Sequence, residues 1–376
     1  MKVINGIVFD ADKGFVEKSL YTDDMLISEK SVADDEVVDA SGCYVIPGLV
    51  DVHFHGCLGE DFSEADVKGI KKIAEYELSQ RVMYICPTTM TLPEKQLSNV
   101  CRNTAEYLKS CKTGSEIVGI HLEGPFVSKA KKGAQNEEYL HDPDFNMLIR
   151  LQKLSGGVVK LITVAPEEKG GIDFVKKATE AGVHVSVGHT VADYDTADAA
   201  FKAGADHATH LFNGMPQLHH RAPSVIGAIS DNENVYPEII CDGIHIHGSA
   251  IRLAFKLFGK ERMVLISDSL RATGMPDGIY PFGGQNIEVH GPRATIEGHP
   301  ETLAGSVTSL YGCFKQAIGF GIPVEDAVRA ASSNPAKSIG IYDRCGSLDT
   351  GKEASFLIVD KESLEIKAKV FKGKLI

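Results

Sequence analysis

Eight short runs rich in β-branched residues recur along the chain, at 45–53, 82–89, 117–123, 158–164, 184–189, 207–211, 238–242 and 264–268. Stretches of helical period separate most of them, at 63–80, 93–110, 167–181, 193–203 and 249–258. The first of these opens Ser63-Glu64-Ala65-Asp66, an N-cap followed by an acidic first turn. Strand–helix alternation builds a parallel sheet, because each return to the sheet in the same direction needs a crossover. Eight such units predict an α/β fold, a TIM-like (β/α)₈ barrel. Residues 269–301 read as a long polar, Gly-rich connection, followed by helices at 306–320 and 324–339.

The two ends of the chain have a different texture. Strands are expected at 2–9, 14–20, 25–28 and 36–39, and the tail 354–376 returns to strand pattern with a turn at Lys372-Gly373. The ends are therefore expected to pair. Residues 1–46 and 345–376 would form a small β-sandwich domain, with the barrel, 47–344, inserted between its halves. A linear two-domain chain is the alternative.

Charge narrows the partners. The formal net charge is -12. A field of that sign repels nucleic-acid phosphates and anionic lipid, so neither nucleic acid nor membrane is expected as a partner. No uncharged apolar run reaches the ~18 residues that span a bilayer. The N-terminus lacks a signal-peptide core, and the eight Cys are scattered with no C-x-x-C pair. They read as reduced thiols, and the expected compartment is the cytoplasm.

Barrel enzymes build their sites at the C-terminal ends of the strands. Here those ends carry His53 and His55, Glu123, His189, His210, the Asp242–His245 turn and Asp268. Residues i and i+2 on a strand face the same way, so His53 and His55 can grip one cation. Glu123, His189 and His210 form a second cluster of nitrogen and oxygen donors. Two His and one Glu leave a coordination position open, as catalytic rather than structural zinc sites do. Asp268, on the strand beside the first after closure, is placed to act as general base. A single His at a strand end is more often a hydrogen-bonded rim residue; the coincidence of ligand types on several strands is what points to metal. His121, His184 and His207 read as packing or orienting groups, His141, His290 and His299 as residues of polar loops, and His219 and His220 as a rim loop facing solvent or substrate. Gly133, Gly214 and Gly305 follow strand ends, where a bare backbone lets a ligand approach.

At these residues the chain resembles the amidohydrolase superfamily. Pro47-Gly48-Leu49-Val50-Asp51-Val52-His53-Phe54-His55 is similar to its first-strand signature. The chain closely resembles the N-acetylglucosamine-6-phosphate deacetylase family within it. The stretches that carry this are His121-Leu122-Glu123-Gly124-Pro125-Phe126, Lys131-Lys132-Gly133-Ala134, Val187-Gly188-His189-Thr190, Thr209-His210-Leu211-Phe212-Asn213-Gly214-Met215, Asp242-Gly243-Ile244-His245, Leu303-Ala304-Gly305-Ser306 and Gly351-Lys352-Glu353-Ala354-Ser355-Phe356. The resemblance implies an enzyme that deacetylates N-acetyl-D-glucosamine 6-phosphate in amino-sugar catabolism, in which a metal-activated water attacks the amide carbonyl. It implies a metal held by Glu123, His189 and His210, Asp268 as acid/base, and substrate contacts at Ala134, Asn213, Gly214, Arg221, Asp242, His245, Ala304, Gly305 and Ser306. The ion is expected to be divalent: zinc, with iron or another metal as alternatives. One or two ions are expected, the second at His53 and His55 with Glu123 bridging. A homodimer is implied as well. The only Lys of the fourth strand, Lys160, lies near its start, which argues against the carbamylated-lysine members such as dihydroorotases and hydantoinases. The alternative substrates are N-acetylgalactosamine 6-phosphate and an N-acyl amino acid.

Overall fold

A computed structural model of the chain describes residues 1–30, 36–110 and 113–376. Eight parallel strands form its centre. They are β1 (Leu49–Asp51), β2 (Val82–Ile85, continued at Thr88–Thr89), β3 (Glu116–Ile117, continued at Ile120–Glu123), β4 (Val159–Val164), β5 (His184–Val187), β6 (His207–Ala208), β7 (Tyr236–Ile240) and β8 (Val264–Ile266). Each pairs with the next in parallel register, from Ile85 opposite Asp51 to Ile240 opposite Ile266. The ring closes where Asp268 N donates to His53 O at 2.9 Å and His55 N donates to Ser269 O at 2.6 Å. One helix follows each strand in turn: Val67–Ser79, Glu94–Ser110, Phe145–Leu154, Gly171–Glu180, Tyr194–Lys202, Ser224–Asp231, Gly248–Phe258 and Leu310–Gly319. Strands covered on both faces read as continuous apolar runs, as Val264-Leu265-Ile266 does, with all three residues fully buried.

The first predicted strand, 45–53, is in fact two. Cys43–Pro47 pairs antiparallel with Phe356–Asp360 and parallel with Ile7–Asp10, outside the barrel. The chain then crosses at Gly48 into β1. A Cβ on Gly48 would lie 2.3 Å from Met83 Sδ, so any side chain at the crossing would force the buried Met83 to move. Cys43–Pro47 sits within a six-stranded sheet built from both ends of the chain. A four-stranded sheet, Leu26–Ser28, Leu20–Asp23, Lys2–Ile4 and Val37–Asp39, lies against it. Val3, Val8, Leu20, Ile27, Val45, Phe356, Ile358 and Val370 share one apolar core between the two sheets.

Residues 269–301 are not a loop. Gly278–Phe282, Gln285–His290, Arg293–Ile296 and His299–Leu303 form a four-stranded antiparallel sheet. Its first hairpin turns on Gly283 and Gly284, both at positive φ (58° and 85°), as a two-residue turn of type I′ requires. His290 and His299 are therefore strand residues. The helix expected over 324–339 is divided by a wider, π-type turn at Arg329–Ser333, and the strand expected over 207–211 ends at Ala208.

Candidate active site and metal centre

The C-terminal ends of β3, β5 and β6 bring three donor atoms together. Glu123 Oε1 lies 3.1 Å from both His189 Nε2 and His210 Nε2, and the two nitrogens are 3.1 Å apart. The opposite ring nitrogens face main-chain carbonyls: His189 Nδ1 is 2.7 Å from Lys131 O, and His210 Nδ1 is 3.2 Å from Asn213 O. A carbonyl can only accept, so each Nδ1 carries the proton and each Nε2 is left with its lone pair. Three acceptors then converge on one point, a donor set that fits a divalent cation. The backbone aims them: His189, His210 and Asp268 all sit at positive φ (46°, 29° and 49°), which turns each out of its strand. Non-glycine residues pay for that conformation, and such strain collects at functional sites.

A second group adjoins the first. His55 Nε2 is 3.4 Å from Glu123 Oε2 and 3.3 Å from Asp268 Oδ1. His53 Nε2 is 3.4 Å from Glu123 Oε1 and 3.7 Å from Asp268 Oδ1. Glu123 thus faces both groups, one oxygen toward His189 and His210, the other toward His55. All six side chains are buried. Burial alone would push the Glu123 and Asp268 carboxyls up, but the surrounding histidines outweigh it: His189 and His53 hold Glu123 well below the carboxylate range, and His55 and His53 hold Asp268 below it. Burial would lower His55, yet Asp268 and Glu123 raise it to about 9. With no ion bound, these imidazoles take up protons beside the carboxylates, protons that an ion at the Nε2 atoms would displace; Asp268 is ionised at neutral pH.

A cavity of about 330 Å³ opens above these groups. Of the expected substrate contacts, Ala134, Asn213, Gly214, His245 and Gly305 line it, beside His55, Glu123, His189, His210 and Asp268. The others fall elsewhere. Asp242 stands behind the wall, its Oδ2 2.7 Å from His245 Nδ1 and its Oδ1 taking the N–H of Ile244 and His245 at 2.9 Å. It orients His245, whose pKa it raises against the opposing effect of burial. Ala304 and Ser306 are buried beside Gly305, and Ser306 Oγ donates to Ser267 O at 2.6 Å. Arg221 is exposed, 2.9 Å from His220 Nε2, in a separate groove with Tyr194 and Pro216. Its loop runs out over the surface, and Arg221 is not among the residues that line the cavity of its own chain.

The remaining histidines also sort by position. His121 lies beneath the site, edge-on to His53 with centroids 4.7 Å apart, its Nε2 2.8 Å from Thr163 Oγ1. His184 and His207 start their strands at the opposite end of the barrel, clamped by Asp206 at 2.6 and 2.8 Å. With Asp206 they pack that end of the barrel, away from Glu123, His189 and His210. The seven described cysteines are free and buried, and Cys111 lies outside the described residues.

Sequence reasoning missed Gln135, whose Nε2 donates to Glu123 Oε2 at 2.6 Å while its Oε1 accepts from Thr91 N at 2.7 Å. It follows the Gly133-Ala134 pair directly, which was the available signal. Phe282, Glu301, Thr302 and Leu303 reach the cavity from the antiparallel sheet taken for a loop. Glu238, behind His53, was a charge inside an apolar strand, Glu238-Ile239-Ile240.

A model of the Amidohydrolase family matches residues 44–376. The chain belongs to the amidohydrolase family. This amidohydrolase is 36% identical over 331 residues to an N-acetylglucosamine-6-phosphate deacetylase of Bacillus subtilis (strain 168), covering 87% of this chain and 83% of that one. It is 35% identical over 386 aligned residues to the enzyme of that name from Bos taurus, covering 100% of this chain and 90% of the other. Its fold is similar to that of an N-acetyl-D-glucosamine-6-phosphate deacetylase variant from Mycobacterium smegmatis in complex with N-acetyl-D-glucosamine-6-phosphate, with TM-score 0.92, 30% identity and coverage of 100% and 98%. Amidohydrolase membership and the buried donor clusters together imply a divalent metal. Among the described residues, no helix is long and apolar enough to cross a membrane.

Proposed function

We propose that this amidohydrolase removes the acetyl group from N-acetyl-D-glucosamine 6-phosphate, giving D-glucosamine 6-phosphate and acetate. The observation that carries this reading is the convergence of Glu123 Oε1, His189 Nε2 and His210 Nε2 on one point beside the ionised Asp268, at the floor of a cavity of about 330 Å³. The relatives supply the substrate class. Glu123, His189 and His210 would hold a divalent ion, which would supply Lewis acidity toward the amide carbonyl and lower the pKa of water. Zinc suits this nitrogen and oxygen donor set.

The chain's own groups do the rest. Asp268 accepts a proton from the attacking water as the new C–O bond forms. It then returns that proton to the amide nitrogen as the C–N bond breaks, so the amine leaves neutral. His245, held by Asp242, offers a donor from the cavity wall. Gly214 and Gly305 keep that wall bare enough for the sugar. Asn213 commits its Nδ2 to His210 O and Leu211 O at 3.2 Å each, which leaves its Oδ1 to accept a sugar hydroxyl.

The phosphate needs a cation, and none of the described residues lining the cavity is Lys or Arg. A homodimer answers this, with Arg221 of the partner subunit approaching the outer end of the cavity. The cytoplasm is the proposed compartment, supported by the buried free thiols. The two terminal sheets, with their own core, are proposed as a small domain into which the barrel is inserted.

Acetate release from N-acetylglucosamine 6-phosphate, its galactosamine epimer, unphosphorylated N-acetylglucosamine and N-acetyl amino acids, each with and without chelator, tests the reading. Chelator-sensitive turnover highest on the first is expected. A preference for the amino acids would overturn the substrate, and full activity in chelator would count against the metal.

A further inference from the structure

The two ring nitrogens of His53 have different surroundings. Nδ1 lies 2.9 Å from Oε2 of Glu238, and both side chains are fully buried. Nε2 has no hydrogen-bond partner and faces Glu123 and Asp268 at 3.4 and 3.7 Å. We propose that Glu238 is a positioning residue for a second cation: its carboxylate accepts the Nδ1–H of His53 and so presents the Nε2 lone pair to an ion shared with His55 and Asp268. This rests on the metal reading of the candidate site.

The alternative neutral tautomer puts the proton on Nε2. His53 would then donate toward Glu123 and Asp268 and could not ligate, while its Nδ1 lone pair would face a carboxylate oxygen at 2.9 Å. Two acceptors at that distance in a buried site repel, so Glu238 selects against this arrangement. His55 reaches the same state by another route, its Nδ1 3.2 Å from the Thr88 carbonyl. Charge points the same way. The ion-pair partners of Glu123, Glu238 and Asp268 are all histidines. When those histidines ligate they are neutral, so one divalent ion leaves three buried carboxylates with a net negative charge and two ions do not. Glu238 is the carboxylate that tips this balance while touching neither cavity nor substrate.

The test uses full-length protein stripped with chelator and titrated with cobalt(II) alone, followed by its absorbance bands and by dialysis. The wild type is expected to take two equivalents. Glu238 Oε2 also takes the His210 N–H, at 3.4 Å, so Glu238→Ala should weaken the equivalent at Glu123, His189 and His210 only slightly and the other about ten- to a hundredfold, the usual effect of removing a ligand's supporting group. Glu238→Gln keeps the volume and offers an amide oxygen to the same N–H, so it should fold as the wild type does and fall between the two. In zinc-loaded protein labelled with ¹⁵N-histidine, His53 should be protonated at Nδ1. Two equivalents bound with wild-type affinity in both variants would overturn the proposal. So would a wild type that takes one equivalent, equal weakening of both ions in Glu238→Gln, or a His53 protonated at Nε2. A wild type that binds no cobalt at all would instead remove the metal reading beneath it.

Discussion

Asp268 is buried, ionised and within reach of the cavity; of the other carboxylates that line it, Glu123 belongs to the converging donor set and Glu301 is exposed beside His299. Asp268→Asn keeps its size and removes its basicity. Positioned acid–base groups typically contribute ~10²–10⁴ in rate, so kcat should fall at least ~100-fold with the metal at Glu123, His189 and His210 retained. Steady-state kinetics with metal analysis on one preparation decides it; near-normal turnover would remove Asp268 from the chemistry. Gly214 tests the wall. It sits at φ 62°, and a Cβ there would lie 3.1 Å from His189 Nδ1 and 3.4 Å from His210 Cε1. Gly214→Ala should therefore strain the backbone, press on the His189 ring and weaken metal retention, read as faster loss of the ion to a chelator. Unchanged retention would mean the loop yields instead. The convergence of these side chains was legible because strand alternation and the closure of the barrel bring His53, Glu123, His189, His210 and Asp268 to one rim. Gln135 and Asp242 were harder to read, since their roles depend on loop paths that no periodicity encodes.

Among the elements, the antiparallel sheet at Gly278–Leu303 was misread because its strands are short and rich in Gly, Pro and His. Half-buried hairpins carry weaker patterns than buried parallel strands. Its signal was nevertheless there, in the Gly283-Gly284 turn between Phe282 and Gln285. The sheet matters for the site. Gln285 Nε2 donates to Ala134 O at 2.6 Å, tying the sheet to the loop that carries Ala134 and Gln135. A neutral hydrogen bond contributes about 0.5–1.5 kcal/mol net, so Gln285→Ala should raise KM about two- to tenfold and leave kcat nearly unchanged. If kcat drops while KM holds, the sheet acts on the chemistry and not on binding. The first predicted strand shows the opposite kind of error: a continuous apolar run, 45–53, concealed a change of sheet at Gly48, because both halves are equally buried.

At the scale of the whole molecule, a barrel strand and the C-terminal segment are joined by charge. Glu116, in β3, pairs with Arg344 at 2.7 Å and with Lys372 at 2.5 Å. Arg344 also reaches Glu353 at 2.6 Å, and Glu353 accepts from the Tyr84 hydroxyl at 2.9 Å. Burial would raise the Glu116 carboxyl, but Lys372 and Arg344 outweigh it and hold its pKa below the usual value. A carboxyl whose folded pKa lies below its unfolded one adds stability above the unfolded value, about 4.3, and that stability is lost as pH falls through the folded value. Glu116→Gln removes the charge and keeps the shape. Charge-assisted hydrogen bonds contribute about 1.5–3 kcal/mol, so the variant should be less stable than the wild type by roughly 1–3 kcal/mol near pH 7 in urea unfolding. The gap should narrow as pH falls below the unfolded value, about 4.3, and close only once pH has passed below the lowered folded value, because the wild-type carboxylate is then protonated as well. A constant gap across that range would mean that packing, not charge, joins the tail to the barrel. No gap at either end would mean that solvent screens the pairs and that the shared apolar core of the two terminal sheets holds the ends together unaided.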